Sequence, residues 1–209
     1  MRYRPISPAS LAEELTDRID ALTDRRRIAV AVDGAAGATE TTELADALVD
    51  PLRLRGHATL RVSARDFLRP ASLRFEHGRT NPDARYTDWL DLGALRREVL
   101  DPLAEDGSGE VLPALWDASR DRATRAARVP LPPGGVVLID GELLLGAGLA
   151  FDLAVHLWLS PAALRRRIPS DDAWALPAYE RYEAEVGPST LADIVVRVDD
   201  PRHPALFSP

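Results

Sequence analysis

The run Ile28-Ala-Val-Ala-Val-Asp33-Gly34-Ala-Ala-Gly37-Ala-Thr39-Glu40-Thr41-Thr42 passes from a β-branched apolar stretch through a glycine-bearing turn to residues that start a helix. That is the layout of the phosphate-gripping pattern G-x-x-x-x-G-K-[ST], in which backbone N–H groups and the positive helix end hold phosphate oxygens. In that pattern a lysine neutralises the phosphate charge and a hydroxyl meets a magnesium ion. Gly34 and Gly37 keep part of the required flexibility. Thr39 stands at the second glycine, Glu40 at the lysine and Thr41 at the hydroxyl, with Thr42 behind it. All 26 basic residues are arginine, so no lysine elsewhere can swing in. A carboxylate among triphosphate oxygens repels them, and reversing that charge should lose more than the several kcal/mol that removing it would. Two readings follow: a loop that grips phosphate through backbone and arginines, or a strand-turn-helix corner that keeps only its shape.

Such a loop needs a sheet beneath it, and the apolar spacing supplies one. Leu11, Leu15, Ile19 and Leu22 form one helical face over 11–22, with Ser10 as its expected cap. Residues 28–32 read as a buried strand, 41–49 as the helix after the loop ending before Pro51, and 58–63 as a second strand. A helix over 92–100, strands over 135–139 and 153–159, a helix over 162–167 and a strand over 194–198 complete the series. Continuous rather than alternating apolar strands, separated by helices, predict an α/β fold: a doubly wound, mainly parallel sheet covered on both faces, three layers α/β/α. The chain reads as a single domain over 1–209. The irregular stretch 67–133 between strands is expected to be a lid or acceptor-binding insertion, or else a solvated loop.

Composition narrows the class. A chain of 209 residues, 45% hydrophobic and 28% charged, can bury one core. A net charge of -7 and a pI near 5.2 argue against nucleic acid as a partner. The absence of cysteine excludes disulfides and thiolate metal sites. No apolar stretch is long enough to span a bilayer, so a cytoplasmic protein without a membrane partner is expected.

Taken in order, six motifs resemble the uridine kinase branch of the phosphoribulokinase/uridine kinase family, from about Arg27 to Pro204. They are the Asp33-Gly34 loop, Val62-Ser-Ala-Arg-Asp66-Phe67, His77-Gly-Arg-Thr-Asn-Pro-Asp83, Leu115-Trp116-Asp117, Val136-Val-Leu-Ile-Asp140-Gly141-Glu142, and Leu164-Arg-Arg-Arg167 with Tyr179-Glu-Arg-Tyr182 following. The resemblance implies a P-loop NTPase fold, nucleoside kinase-like, and transfer of a terminal phosphoryl group to a hydroxyl of a nucleoside or similar small acceptor. An active protein of this kind would use Mg2+ and ATP or GTP; an inactive one, a pseudokinase acting as a small-molecule-binding or regulatory protein, would need neither. A nucleoside-like ligand is the expected partner, and a homo-oligomer stays open.

The resemblance also implies roles. Gly34, Gly37, Thr39, Glu40, Thr41 and Thr42 would face the nucleotide; Asp66 would accept the proton of the attacking hydroxyl, as a carboxylate can. Thr41, Asp140 and Glu142 would serve the metal, while Arg165 and Arg166 of the lid would clamp phosphate. For the acceptor, Trp116 would stack on a base, Asp117 and Asp83 or Asp91 would meet sugar hydroxyls, and His77 would add a polar contact. Each has an ordinary alternative: Asp66 a turn cap, Asp140-Gly141 a turn, the arginines a solvated helix face, Trp116 a core residue. The alanine at 118 and the lack of a histidine soon after depart from the uridine-binding pattern.

Overall fold

In the computed structural model, which describes residues 2–24 and 26–208, seven strands form one sheet. They are β1 (Arg2–Pro5), β2 (Ile28–Gly34), β3 (Thr59–Ser63), β4 (Val136–Gly141), β5 (Leu153–Trp158), β6 (Ile194–Arg197) and β7 (Ala205–Ser208). Their spatial order is β1-β7-β6-β5-β2-β4-β3, with β2 to β6 mutually parallel and β7 and β1 added antiparallel at one edge. The two edge strands come from the chain ends, whose short, polar-flanked sequences carry no strand period.

The loop-bearing strand β2 is central and wholly buried. Its larger side chains, Ile28, Val30 and Val32, face a core built with α1 (Pro8–Thr23) and α2 (Thr41–Leu54); Ala29 and Ala31 face a second core on the other side. The size difference decides which layer sits closer, because alanine leaves room for the bulky segment between β3 and β4. That segment contributes Phe67, Leu95 and Val99, none of them exposed. It carries α3 (Pro82–Thr87) and two small hairpins, Glu110–Val111 against Val129–Pro130 and Trp116–Asp117 against Arg122–Ala123. After β5 come α4 (Pro161–Arg167) and α5 (Leu176–Glu185).

Boundaries differ from the sequence expectation in instructive ways. The cap of α1 is Ser7, whose hydroxyl accepts from the Ser10 N–H, because Pro8 fits the first helical position. Helix α2 runs through Pro51 to Leu54: Leu48 and Leu52 are fully buried, and that burial outweighs the hydrogen bond the proline lacks. The expected helix at 92–100 is helical only over Leu92–Leu95, then widens into a π turn at Arg96–Leu100 and tightens at Asp101–Leu103, where Pro102 forbids continuation. No helix among the described residues is long and apolar enough to cross a membrane.

Candidate functional site

The loop between β2 and α2 keeps its turn. Gly37 has φ 73, a backbone state that favours glycine, and its backbone lies against Pro169. The Ala38 and Thr39 N–H groups both donate to the Ala35 carbonyl, and the Thr39 hydroxyl donates to the same oxygen at 3.0 Å. Thr39 therefore folds back under the loop, close enough that any side chain at Gly34 would strike it. Glu40 begins α2 without capping it. Its carboxylate neither turns onto the loop amides nor meets Arg165 or Arg166; it pairs with Arg167, whose other nitrogen donates to the Val198 carbonyl at 2.6 Å.

Arg165, Arg166 and Arg167 point about 100° apart on α4, so only one can face the loop. Arg165 pairs instead with the exposed Glu180 at 2.6 Å, and Arg166 lies exposed.

Strand alternation sends two carboxylates to opposite faces of the sheet. Asp140, beside Ser63 in register, faces α2. One of its oxygens receives Arg61 at 2.9 Å, and the other accepts from the Thr42 hydroxyl at 2.9 Å and from Ser63 at 3.4 Å. Thr41 is buried at the helix start. Asp33 faces the other way, where its register neighbour His156 meets it at 2.7 Å and the Tyr182 hydroxyl donates at 3.1 Å. The Leu144 N–H completes the set at 3.0 Å. His156 is thus a member of a buried network that a lone histidine in an apolar strand does not announce in the sequence. Burial and the Asp33 charge push the Tyr182 phenol far up, so it stays a donor.

Glu142 is claimed as fully as Asp140. Arg85 reaches it at 2.8 Å and the Tyr179 hydroxyl donates to it. Burial pulls the Arg85 charge down, but the Glu142 and Tyr179 partners more than offset it, and the guanidinium is held charged. Tyr179 and Tyr182, three apart on α5, share the inward face and so serve Glu142 and Asp33 respectively.

Some of these groups border a cavity of about 910 Å3 between the loop, α2, the ends of β3 and β4, and the segment after β3. Gly37, Thr39, Glu40, Thr41 and Thr42 lie in its wall with Asp140 and Glu142. Arg65, Arg74, Arg85 and Trp89 line it as well, and none of these four stands out in the sequence. The expected acceptor contacts do not line it. Asp83 is exposed and pairs with Arg181 at 3.2 Å, and His77 is exposed. Trp116 donates to Asp121, while Asp117 caps its own turn by accepting from Ser119 and Arg120; those bonds lower its proton affinity. Asp91 caps a turn through the Ala94 N–H. Among the described residues, no group of three or more histidine, aspartate or glutamate side chains is arranged to hold a metal ion.

Asp66 stands at the end of β3 with no hydrogen-bond partner for its carboxylate among the described residues and outside the cavity wall. Burial raises its proton affinity, Arg61 opposes this, and Asp140 adds to it. The folded chain therefore holds that proton more tightly than the unfolded one. Stability contributed by the protonated form is lost as pH rises from the ordinary aspartate value, 3.8, through the raised one. Asp66→Asn is expected to flatten the melting temperature against pH over that acidic window and to raise it by a few degrees at most at neutral pH; scanning calorimetry from about pH 4 to pH 8 measures both.

With this geometry in hand, the fold is defined: a mainly parallel sheet flanked by helices, a P-loop kinase-like α/β fold. Among solved structures it is similar to a "possible uridine kinase" from Bacillus stearothermophilus, with TM-score 0.71 and 19% identity over 89% of this chain and 97% of that one. It is also similar to D-glycerate 3-kinase from Cryptococcus neoformans, with TM-score 0.55 and 16% identity over 85% and 80% of the two chains. At these identities the likeness is one of fold. No protein-family model and no curated protein matches the sequence.

Proposed function

We propose that this chain is a kinase-fold protein that binds a small hydroxyl-bearing ligand in the 910 Å3 cavity and does not use magnesium-ATP efficiently. One observation carries the reading: Glu40, Asp140 and Glu142, the acidic residues expected at a cation or phosphate site, are each neutralised by an arginine of the chain itself. Glu40 is held by Arg167, Asp140 by Arg61 and Glu142 by Arg85. A magnesium ion needs oxygen ligands free to approach it closely, and here both Asp140 oxygens and both Glu142 oxygens are engaged. The donor set does not fit a magnesium-bound triphosphate, and no transfer step is routed through one. The structural neighbours, a possible uridine kinase and a D-glycerate 3-kinase, support a small hydroxyl compound as the ligand class.

Titration calorimetry of the unmodified protein with magnesium-ATP is expected to show no micromolar binding. A dissociation constant in the micromolar range would overturn the reading. A slow uridine-type phosphotransferase is the second reading, favoured by one feature: the unpartnered Asp66 carboxylate just past the end of β3, whose proton affinity burial raises.

A further inference from the structure

One edge of the cavity gathers cationic and donor groups whose partners are incomplete, and they point to what it binds. Arg74 is buried, its side chain only 6% exposed. Its Nε donates to the Arg69 carbonyl at 2.7 Å, which satisfies one N–H but neutralises nothing. The nearest carboxylate, Asp121, is 4.0 Å away, and the oxygen concerned already accepts from the Ala71 N–H at 2.7 Å and the Trp116 indole at 3.2 Å. A second cation, Arg65, lines the same cavity and makes no ion pair or hydrogen bond among the described residues. Burial makes the Arg74 charge unfavourable, Asp121 relieves part of this, and the like charge of Arg65 adds to it.

Two further donors wait nearby. Arg85 Nε and Trp89 Nε1 are buried without acceptors. The Arg85 side chain is 9% exposed, and both residues belong to the cavity wall. A buried unsatisfied donor costs roughly 1–3 kcal/mol, so this edge of the cavity is an unmet demand for oxygen acceptors. Nor is the ring of Trp89 free to stack on a base: the Arg85 and Arg74 guanidinium carbons already lie 4.7 and 5.4 Å from its centroid. Of the acids in the wall, Glu40, Asp140 and Glu142 are paired as described. Glu43 and Asp172, from α2 and from the turn after α4, also line the wall and make no ion pair among the described residues.

We propose that the cavity selects an oxyanion: a small hydroxyl compound bearing a phosphate or carboxylate, seated between Arg65 and Arg74, with Trp89 Nε1 and Arg85 Nε as further donors after a small rotation of those side chains. This rests on the ligand-binding reading above and deepens it by naming the ligand's charge.

The test uses matched probes on the whole chain at low ionic strength: D-ribose 5-phosphate against D-ribose, D-gluconate against D-glucose, inorganic phosphate, and putrescine as a cation. The charged member of at least one anionic pair is expected to bind about tenfold or more tightly than its neutral partner, and which pair responds assigns phosphate or carboxylate. Arg74→Gln and Arg65→Gln are each expected to lose about tenfold of that affinity, and Trp89→Phe, which keeps an aromatic ring and removes the donor, a few-fold. Arg65 is exposed, so its variant reads binding without disturbing the core. Equal affinity within both pairs, preference for putrescine, silence toward every anion at millimolar concentration, or unchanged affinity in the folded Arg65→Gln variant would overturn the inference. Equal affinity would leave the cavity a ligand site, whereas tight magnesium-ATP binding would remove the reading beneath it and leave the charge preference measurable.

Discussion

The double variant Thr39→Gly, Glu40→Lys is expected to bind magnesium-ATP at least about tenfold more tightly than the parent. Tenfold is about 1.4 kcal/mol. Reversing a charge within about 4 Å of a phosphate oxygen at an effective dielectric of about 20 changes the pair energy by more than that. Two terms work against the gain. The introduced ammonium would face Arg167, which loses its carboxylate partner, although Arg167 keeps its bond to the Val198 carbonyl and becomes free to meet phosphate. Asp140 stays held by Arg61, so the metal gains nothing. Glycine in place of Thr39 removes the hydroxyl that ties the loop back to Ala35 and opens the space beside Gly34. The positive φ at Gly37 keeps the turn, but the Ala38 and Thr39 amides donate to the Ala35 carbonyl and must leave it to meet phosphate. If calorimetry shows no gain in the double variant, the loop's backbone path rather than its side chains prevents binding. Glu40→Ala then separates the two contributions, since it releases Arg167 without adding a charge.

What the sequence made legible was the frame. Apolar runs at 28–32 and 136–139, and at 153–159 where His156 alone breaks the run, specify a parallel sheet covered on both faces, and the fold has that sheet with β2 central among its parallel strands. The corner Gly34 to Thr42 also forms where the pattern puts it, because a strand, a glycine turn and a helix start are local features. Partners were not legible. Arg61 meets Asp140 because both sit on the α2 face of neighbouring strands, a relation fixed by a register that the sequence does not display. Arg167 rather than its two neighbours reaches Glu40 because the phase of a two-turn helix decides which of three adjacent arginines faces inward. The insertion was hardest, since its short helices and hairpins lack a sustained period. There, Trp116 and Asp117 sit in one small hairpin, while Arg74, Arg85 and Trp89 form the cavity wall. A usable signal existed in Tyr179 and Tyr182, whose i, i+3 spacing sets both hydroxyls on one helix face, toward Glu142 and Asp33.

Arg85→Met is expected to give the largest loss of stability of any single change in the cavity wall. The guanidinium pairs with Glu142, donates to the Tyr179 hydroxyl at 3.3 Å and lies against the rings of Trp89, Trp174 and Tyr179. Removing it leaves Glu142 mostly buried with only the Tyr179 hydroxyl, and breaking one side of a buried pair costs about 3–5 kcal/mol. In a chain of this size that is a fall of roughly 6–20 °C in melting temperature. Methionine keeps much of the contact with the aromatic rings, so the loss should come from the stranded charge. The second change, Glu142→Gln added to Arg85→Met, tests this: it removes the carboxylate charge while keeping an acceptor for Tyr179, and should restore at least half of the lost stability. The single variant should also gain a pH dependence beyond the one Asp66 gives the parent. A stranded Glu142 holds its proton more tightly folded than unfolded, so Arg85→Met should become relatively more stable as pH falls from about 7 toward 5, while the double variant should not. Equal melting temperatures for the single and double variants, with no pH dependence in either beyond the parent's, would mean that Arg85 stabilises through its stacking on the three rings and not through its charge.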